Sequence, residues 1–228
     1  MKRAALALLL LCGAAALALD WREVAAVRIP AGEVASVSVD GETVWKRVPY
    51  DAEIEYLEST GTQYVDTGVL PSRDLAFSCR FMCVNINTGY GNVFGARYSS
   101  GQREYILSAW GNGFAVVGAD RKSAIGITPG NICDVSYDGS STLTIDGTQM
   151  TMSTAENFAD VGTILAFGIR NGGSPAQLAA TRIYGLSLGA VRDLVPVRVG
   201  TAGYLYDRVS GQLFGNMGTG AFVLGPDK

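Results

Sequence analysis

The sequence predicts an all-β domain of the sandwich or barrel type over most of the chain. Short runs of apolar and β-branched residues recur with turn residues between them, a pattern typical of sandwiches and barrels and not of alternating strands and helices. Glycine, at 29 of 228 residues, is spread between these runs, which suits many tight turns. No long window keeps a 3.6-residue apolar period after the N-terminal segment, so no long helix is predicted.

The strand prediction rests on these runs, and two of them form a hairpin. They meet at Asp138-Gly139, and the second run ends at Asp146-Gly147. Asp-Gly favours the positive φ angles that tight hairpins need, so this stretch predicts two antiparallel strands. The predicted strands cover residues 76–84, 92–94, 104–108, 114–117, 132–137, 142–145, 164–169, 180–188 and 195–199.

The composition excludes several classes of function. The formal charge is −3 and the 18 lysines and arginines are scattered singly. Because nucleic-acid binding depends on a dense basic field, we expect no nucleic-acid partner. The chain has no histidine, which removes the commonest general base, the usual activator of a serine or cysteine nucleophile, and the commonest zinc ligand. Chemistry by carboxylates alone, as in glycosidases, stays open.

The N-terminus has the pattern of an export signal. Lys2 and Arg3 precede an uncharged, Ala/Leu-rich run over residues 4–19, and residues 16–18 (ALA) supply the small side chains of a cleavage site. We predict a signal peptide over residues 1–18 and a mature protein that is secreted, surface-bound or periplasmic, without membrane association. A retained anchor is the alternative, although the run is shorter than the ~20 residues of a spanning helix.

Two segments follow the signal peptide. Residues 19–49 contain short β-rich runs at 24–29, 34–39 and 43–45, which predict a small β meander as a lead-in segment. Pro49 ends this segment, and the main domain is predicted over residues 50–228.

Four stretches of the main domain carry a resemblance to known domains. They are residues 135–148 (VSYDGSSTLTIDGT), 53–68 (EIEYLESTGTQYVDTG), 192–198 (RDLVPVR) and 203–220. In this order they are similar to a hairpin ribbon, the opening strand, the penultimate strand and the closing segment of the concanavalin A-like and laminin-G-like jelly rolls of gut bacterial and phage proteins. The resemblance implies a two-sheet antiparallel jelly-roll sandwich. It leaves function open, because such folds serve as lectins, adhesion modules and glycosidases alike.

Three cysteines remain after signal cleavage. Cys79 and Cys83 lie on one face of the predicted strand 76–84, too far apart to bond to each other. One possibility is a cross-strand disulfide from Cys133 to one of them. The other is that all three are buried thiols that pack as small apolar residues.

The candidate ligand-binding residues follow from sugar recognition, which needs aromatic faces and planar polar groups. Trp110 with Asn112, on a predicted loop, is the first candidate, and Tyr90 is the second. Arg97 and the pair Arg170-Asn171 end their strands in parallel fashion, which suggests that they face one ligand. The alternative for each is structural: an aromatic ring that caps the core, or an arginine that covers a sheet edge.

No catalytic residue and no cofactor is predicted. Glu53 and Glu55 alternate as a retaining glycosidase requires, and Glu58 follows them, but no aspartate lies between them. The segment is typical of an edge strand with solvated charges. No metal ion is predicted either. A structural calcium ion is the alternative, although the loop aspartates lack the dense spacing of a calcium loop. These aspartates are Asp66, Asp120, Asp138 and Asp146.

The predicted function is that of an exported, non-catalytic binding or adhesion domain that recognises carbohydrate or another cell-surface polymer. The alternative is a phage or prophage virion protein with a structural or host-recognition role. The export signal favours the first, because virion parts assemble in the cytoplasm. A glycosidase is the third and least favoured class.

Overall fold

The structure, a computed structural model, describes residues 28–29, 32–33, 36–39, 42–85, 91–99, 103–118, 120–153 and 158–228. The chain divides into two compact units, Met1–Pro49 and Tyr50–Lys228. The predicted signal peptide lies outside the described residues, and so does Tyr90.

The first unit contains two short antiparallel ribbons. Strand β1 (Arg28–Ile29) pairs with β2 (Gly32–Glu33), and β3 (Ser36–Val39) pairs with β4 (Glu42–Lys46). These strands lie in or beside the runs from which a β meander was predicted.

In the described part of the second unit, all regular secondary structure is β-strand. No helix in the described part of the chain is long and apolar enough to cross a membrane. The strands are β5 (Ala52–Glu53), β6 (Leu57–Glu58), β7 (Val65–Asp66), β8 (Phe77–Asn85), β9 (Asn92–Arg97), β10 (Glu104–Ser108), β11 (Phe114–Gly118), β12 (Asp120–Ser123), β13 (Ile132–Tyr137), β14 (Thr142–Ile145), β15 (Thr148–Thr151), β16 (Leu165–Ala166), β17 (Ile169–Asn171), β18 (Ser174–Ala176), β19 (Ala180–Leu188), β20 (Arg192–Val199), β21 (Ala202–Asp207), β22 (Leu213–Phe214) and β23 (Val223–Leu224).

These strands form two sheets. The large sheet has the order β15-β14-β13-β8-β19-β20-β21-β22, with β5 paired to β20, β6 to β19, and β23 to β6. The small sheet has the order β12-β11-β10-β9-β16-β7, and the hairpin β17–β18 joins it through β9. All strand pairs are antiparallel except β9 with β17, which is parallel. The predicted all-β, two-sheet sandwich is confirmed.

The core lies between the sheets and follows from the two-residue period of the strands. On β13, Cys133, Val135 and Tyr137 are buried, while the residues between them face outward. The rings of Phe77 on β8 and Phe94 on β9 pack edge to face with centroids 5.0 Å apart. Because these two strands belong to different sheets, the contact joins the two halves of the sandwich.

The three cysteines are buried on this inner face, and no disulfide joins them within the described residues. Cys133 is in register with Phe81, so it lies diagonal to both Cys79 and Cys83. Diagonal neighbours on adjacent strands are about 7–8 Å apart, whereas a disulfide needs Cβ atoms roughly 3.5–4.5 Å apart. The buried-thiol interpretation is therefore the one that the structure shows.

Residues 53–68, expected as one opening strand, form three two-residue strands instead. Strands β5 and β6 belong to the large sheet and β7 belongs to the small one. The chain turns between β6 and β7 at Gly61, which has a φ of 102°. The side chain of Gln63 closes this turn, because its Oε1 accepts a hydrogen bond of 2.8 Å from the Thr60 N–H.

The closing segment packs directly on this turn. The Nε2 of Gln63 donates to the carbonyl of Ala221 at 3.1 Å. A Cβ placed on Gly218 would lie only 2.0 Å from the carbonyl oxygen of Thr62, so this approach needs glycine. The opening and closing segments of the domain thus hold each other in place.

The end of β21 is anchored by Asp207, whose side chain is fully buried. Its carboxylate accepts hydrogen bonds from the N–H groups of Asp193, Val209 and Ser210 at 2.9, 3.2 and 3.1 Å, and from the Ser210 hydroxyl at 2.6 Å. Arg192 Nη1 forms an ion pair with it at 3.3 Å. Burial raises the pKa of Asp207, but the Ser210 hydroxyl and the backbone donors outweigh it and hold the pKa below its usual range.

Candidate functional site

The loop residues predicted to bind a ligand lie at the turn between β10 and β11. The side chain of Trp110 is 47% exposed, and its ring packs edge to face against Phe114 with centroids 6.5 Å apart. Asn112 has a φ of 65°, and its carbonyl accepts a hydrogen bond from the Ile127 N–H at 3.0 Å. About half of Trp110 is thus exposed to solvent, while the backbone of Asn112 is used by the fold.

The parallel pairing of β9 with β17 brings two of the predicted residues together. Asn171 is in register with Arg97, and Arg97 Nε donates to Asn171 Oδ1 at 3.0 Å. Arg97 Nη1 also pairs with Glu104 Oε1 at 3.2 Å, and both of these charged side chains are largely buried. The structure thus brings Arg97 and Asn171 together, but the guanidinium of Arg97 is engaged by the protein itself.

Arg170 is likewise held by internal partners on all three guanidinium nitrogens. Its Nη2 pairs with Asp66 Oδ2 at 2.5 Å, its Nε donates to the Thr163 carbonyl at 3.0 Å, and its Nη1 donates to the Gly173 carbonyl at 3.0 Å. This arrangement ties β7 to the β17–β18 hairpin. A ligand-binding role for Arg97, Arg170 and Asn171 stays a prediction.

A groove lies on the outer face of the large sheet, where sequence reasoning placed no site. It has a volume of about 450 Å³ and is lined by outward residues of β8, β13, β14, β19 and β20. A second depression of about 290 Å³ shares Ser136 and Thr144 with it and extends it to Gln149 on β15. We call the two depressions together the outer groove.

A single row of polar side chains crosses the outer groove at right angles to the strands. The row takes one residue from each of six neighbouring strands, β15, β14, β13, β8, β19 and β20, in direct register. Because neighbouring strands lie 4.7–4.9 Å apart, the row is roughly 24 Å long. We call it the polar row; its members are Gln149, Thr144, Ser136, Ser78, Ser187 and Asp193.

Five of the six members of the polar row have short side chains, and Gln149 at one end is the exception. Four of its six members carry a hydroxyl group, which both donates and accepts hydrogen bonds. A solvated sheet face is polar in any case, but none of these positions carries the long lysine or glutamate side chains that would cover the strands. The floor of the groove is therefore low and rich in hydroxyl groups.

A β-bulge places an aromatic side chain beside this floor. The register between β19 and β8 shifts between Ile183 and Gly185, so Tyr184 is the extra residue and projects into the groove wall. Its ring packs edge to face with that of Tyr56 at 5.6 Å. At Gly185 the floor has no side chain, and the only atom within 4 Å of a Cβ built there is the Leu194 carbonyl oxygen at 3.9 Å.

The outer groove carries a small net negative charge. Arg80 Nη1 pairs with Asp134 Oδ2 at 3.0 Å, and both side chains are more than half exposed. Asp193 Oδ1 accepts a hydrogen bond from the Ser187 hydroxyl at 3.2 Å. The lining thus carries one arginine and three aspartates, a formal charge of −2. One of the three, Asp138, is bound to the N–H groups of its own turn.

The carboxylates of the groove are not arranged as a catalytic pair. Asp134 on β13 and Asp193 on β20 are separated by three strand spacings, roughly 14 Å, whereas glycosidases hold their two carboxyl groups about 5–9.5 Å apart. Two of the three glutamates considered as catalytic candidates are engaged elsewhere. Glu53 pairs with Arg208 at 2.9 Å, and Glu58 pairs with Arg182 at 2.5 Å.

The candidate calcium ligands are also dispersed. Among the described residues, no group of three or more Cys, Asp or Glu side chains converges in a way that suits a metal ion. Asp66 pairs with Arg170, Asp120 pairs with Lys122 at 3.0 Å, and Asp146 Oδ1 accepts a hydrogen bond of 2.8 Å from the backbone of β13.

Part of the outer groove was visible in the sequence as a weak signal. The outward positions of the alternating strands β8, β13 and β14 carry serine and threonine at Ser78, Ser136 and Thr144. The Tyr184-Gly185 pair interrupts the alternation of β19, as a bulge does. The alignment of these positions into one row depends on the pairing of distant strands, which local patterns do not reveal.

Comparison with known proteins assigns no family to this chain. No protein-family model matches it, and no curated protein matches it.

Proposed function

We propose that this protein is an exported, non-catalytic carbohydrate-binding domain of the concanavalin A-like type, and that the outer groove binds the glycan. The observation that carries the proposal is the polar row beside Tyr184. Sugars present several hydroxyl groups around an apolar ring face, so a site for them combines hydroxyl-bonding side chains with an aromatic ring.

The individual groups of the outer groove suit this chemistry. Ser78, Ser136 and Ser187 offer hydroxyl groups in direct register, and Asp193 accepts hydrogen bonds from sugar hydroxyls. Arg80 and Asp134 are more than half exposed and present a planar donor and a planar acceptor at the rim. The edge-to-face contact with Tyr56 fixes the ring of Tyr184, which lowers the entropy cost of stacking.

The absence of catalysis is supported by the wide separation of Asp134 and Asp193 along the groove. The concanavalin A-like assignment is supported by the two-sheet sandwich together with the opening, hairpin and closing stretches of the sequence. Export is supported by Lys2, Arg3 and the apolar run before the ALA cleavage signal.

A glycan-array screen of the wild-type protein with groove variants tests the binding proposal. We expect wild-type binding to at least one glycan and a loss of at least about tenfold in affinity for Gly185→Leu, whose side chain would occupy the groove floor. Gly185→Ala is the matched control, because a Cβ at this position has an ordinary contact distance of 3.9 Å. Thermal melts of each variant separate lost binding from lost folding.

The loop candidate is tested in the same screen with Trp110→Ala. We expect this variant to bind as the wild type does. Binding that disappears in Trp110→Ala but survives in Gly185→Leu would place the site on the β10–β11 turn, and an array without any bound glycan would refute the proposal. Export is checked separately by N-terminal sequencing, with Leu19 expected as the first residue of the mature protein.

A further inference from the structure

We infer that the ligand of the outer groove is an extended, uncharged, β-linked polysaccharide that lies across the strands along the polar row. This inference rests on the proposed function and adds the class of ligand. A site for one terminal sugar needs only a local cluster of polar groups. The polar row instead repeats similar groups over six strands and roughly 24 Å.

The spacing of the row fits a chain ligand. Neighbouring members lie one strand spacing apart, 4.7–4.9 Å, and a flat β-linked chain advances by a similar distance for each pyranose ring. Successive rings therefore meet successive strands and present their hydroxyls to equivalent side chains. A row of this length accommodates about five rings.

The charge of the lining selects against acidic chains. Arg80 is the only basic residue that lines the described groove, and Asp134 neutralises it at 3.0 Å. Asp193 ends the row with a further carboxylate near Arg208 Nη1, at 4.0 Å. Because a polymer with a carboxylate or sulfate on each ring needs a positive field, a neutral polymer is the better match.

The position of Tyr184 predicts unequal subsites. Its ring stands at the β19 bulge, toward the Asp193 end of the row, while Thr144 and Gln149 lie at the far end on β14 and β15. A ring stacked on Tyr184 is therefore bound by every oligosaccharide that occupies the groove. Only longer oligosaccharides also reach Thr144.

Calorimetric titration with neutral β-1,4-linked gluco-, xylo- and manno-oligosaccharides of one to six sugar units tests the inference. We expect affinity for at least one series to rise by at least about tenfold from the disaccharide to the pentasaccharide and then to level off. Tyr184→Ala should weaken binding at every length. Thr144→Ala should weaken binding of the longest oligosaccharides by a few fold and leave the disaccharide unchanged.

The outcomes separate this inference from the proposed function. Equal affinity for short and long oligosaccharides, failure of all three series while the array shows binding, or tighter binding of uronic-acid polymers would overturn the inference and leave glycan binding in place. Binding that is the same in wild type and in Gly185→Leu would overturn the proposed groove itself.

Discussion

Replacing Asp207 with alanine tests whether this buried carboxylate holds the end of the large sheet together. The change removes the acceptor for three backbone N–H groups and for the Ser210 hydroxyl, and it leaves Arg192 beside a small cavity. Breaking a buried ion pair by removal of one partner costs about 3–5 kcal/mol. Arg192 keeps hydrogen bonds to the carbonyls of Thr67 and Val191, so we expect a loss of about 3 kcal/mol in the free energy of unfolding.

Denaturant unfolding followed by tryptophan fluorescence measures this loss directly. In a domain of this size, 1 kcal/mol corresponds to about 2–4 °C, so we expect Tm to fall by about 6–12 °C. Asp227→Asn is the control, because the pair of Asp227 with Arg198 is partly exposed to solvent and should contribute far less to stability. A loss below about 1 kcal/mol for Asp207→Ala would refute the anchoring role.

The pH dependence of stability gives a second measure of the same anchor. The folded pKa of Asp207 is lower than its ordinary value of 3.8. Its ionisation therefore stabilises the fold at neutral pH, and this contribution is lost as the pH falls from about 4 through the folded pKa. In Asp207→Asn, the free energy of unfolding should depend less on pH in this range. A pH dependence equal to that of the wild type would contradict the lowered pKa of Asp207.

Three further predictions follow from single positions. Gly218→Ala should destabilise the protein by about 1–3 kcal/mol in denaturant unfolding, because its Cβ would lie 2.0 Å from the Thr62 carbonyl, and a neutral effect would contradict this contact. Cys79 and Cys133 should react with a thiol reagent only after unfolding, because burial raises the pKa of both, that of Cys133 to about 12; fast reaction of the native protein would contradict their burial. Asp138→Ala should speed amide hydrogen exchange in the β13–β14 hairpin at neutral pH. The effect should vanish below the folded pKa of Asp138, which the Thr142 and Ser140 N–H groups hold well below 3.8. Equal exchange rates of variant and wild type at neutral pH would contradict this.

Local sequence patterns were sufficient to predict the bounds of several strands and the position of a turn. Strands β10, β13, β14 and β19 have the predicted bounds. Strands β13 and β14 alternate apolar and polar residues and are each followed by an Asp-Gly turn, and β19 is followed by Gly189. The turn at Asp146-Gly147 has a positive φ at both residues, as Asp-Gly favours. The run predicted at 164–169 is divided instead, because Phe167 adopts a φ of 67° between β16 and β17.

The sequence by itself determined that this chain is an all-β sandwich, and it supplied the hydroxyl side chains of the groove. For the cysteines it left two possibilities, a cross-strand disulfide or buried thiols. Tertiary structure decided that the thiols lie on diagonal positions, that β9 and β17 pair in parallel, and that Arg97 meets Asn171. It also decided that Ser78, Ser136 and Ser187 form one row. The physical reason is that side-chain period is a property of each strand alone, whereas register arises from pairing between residues far apart in the chain.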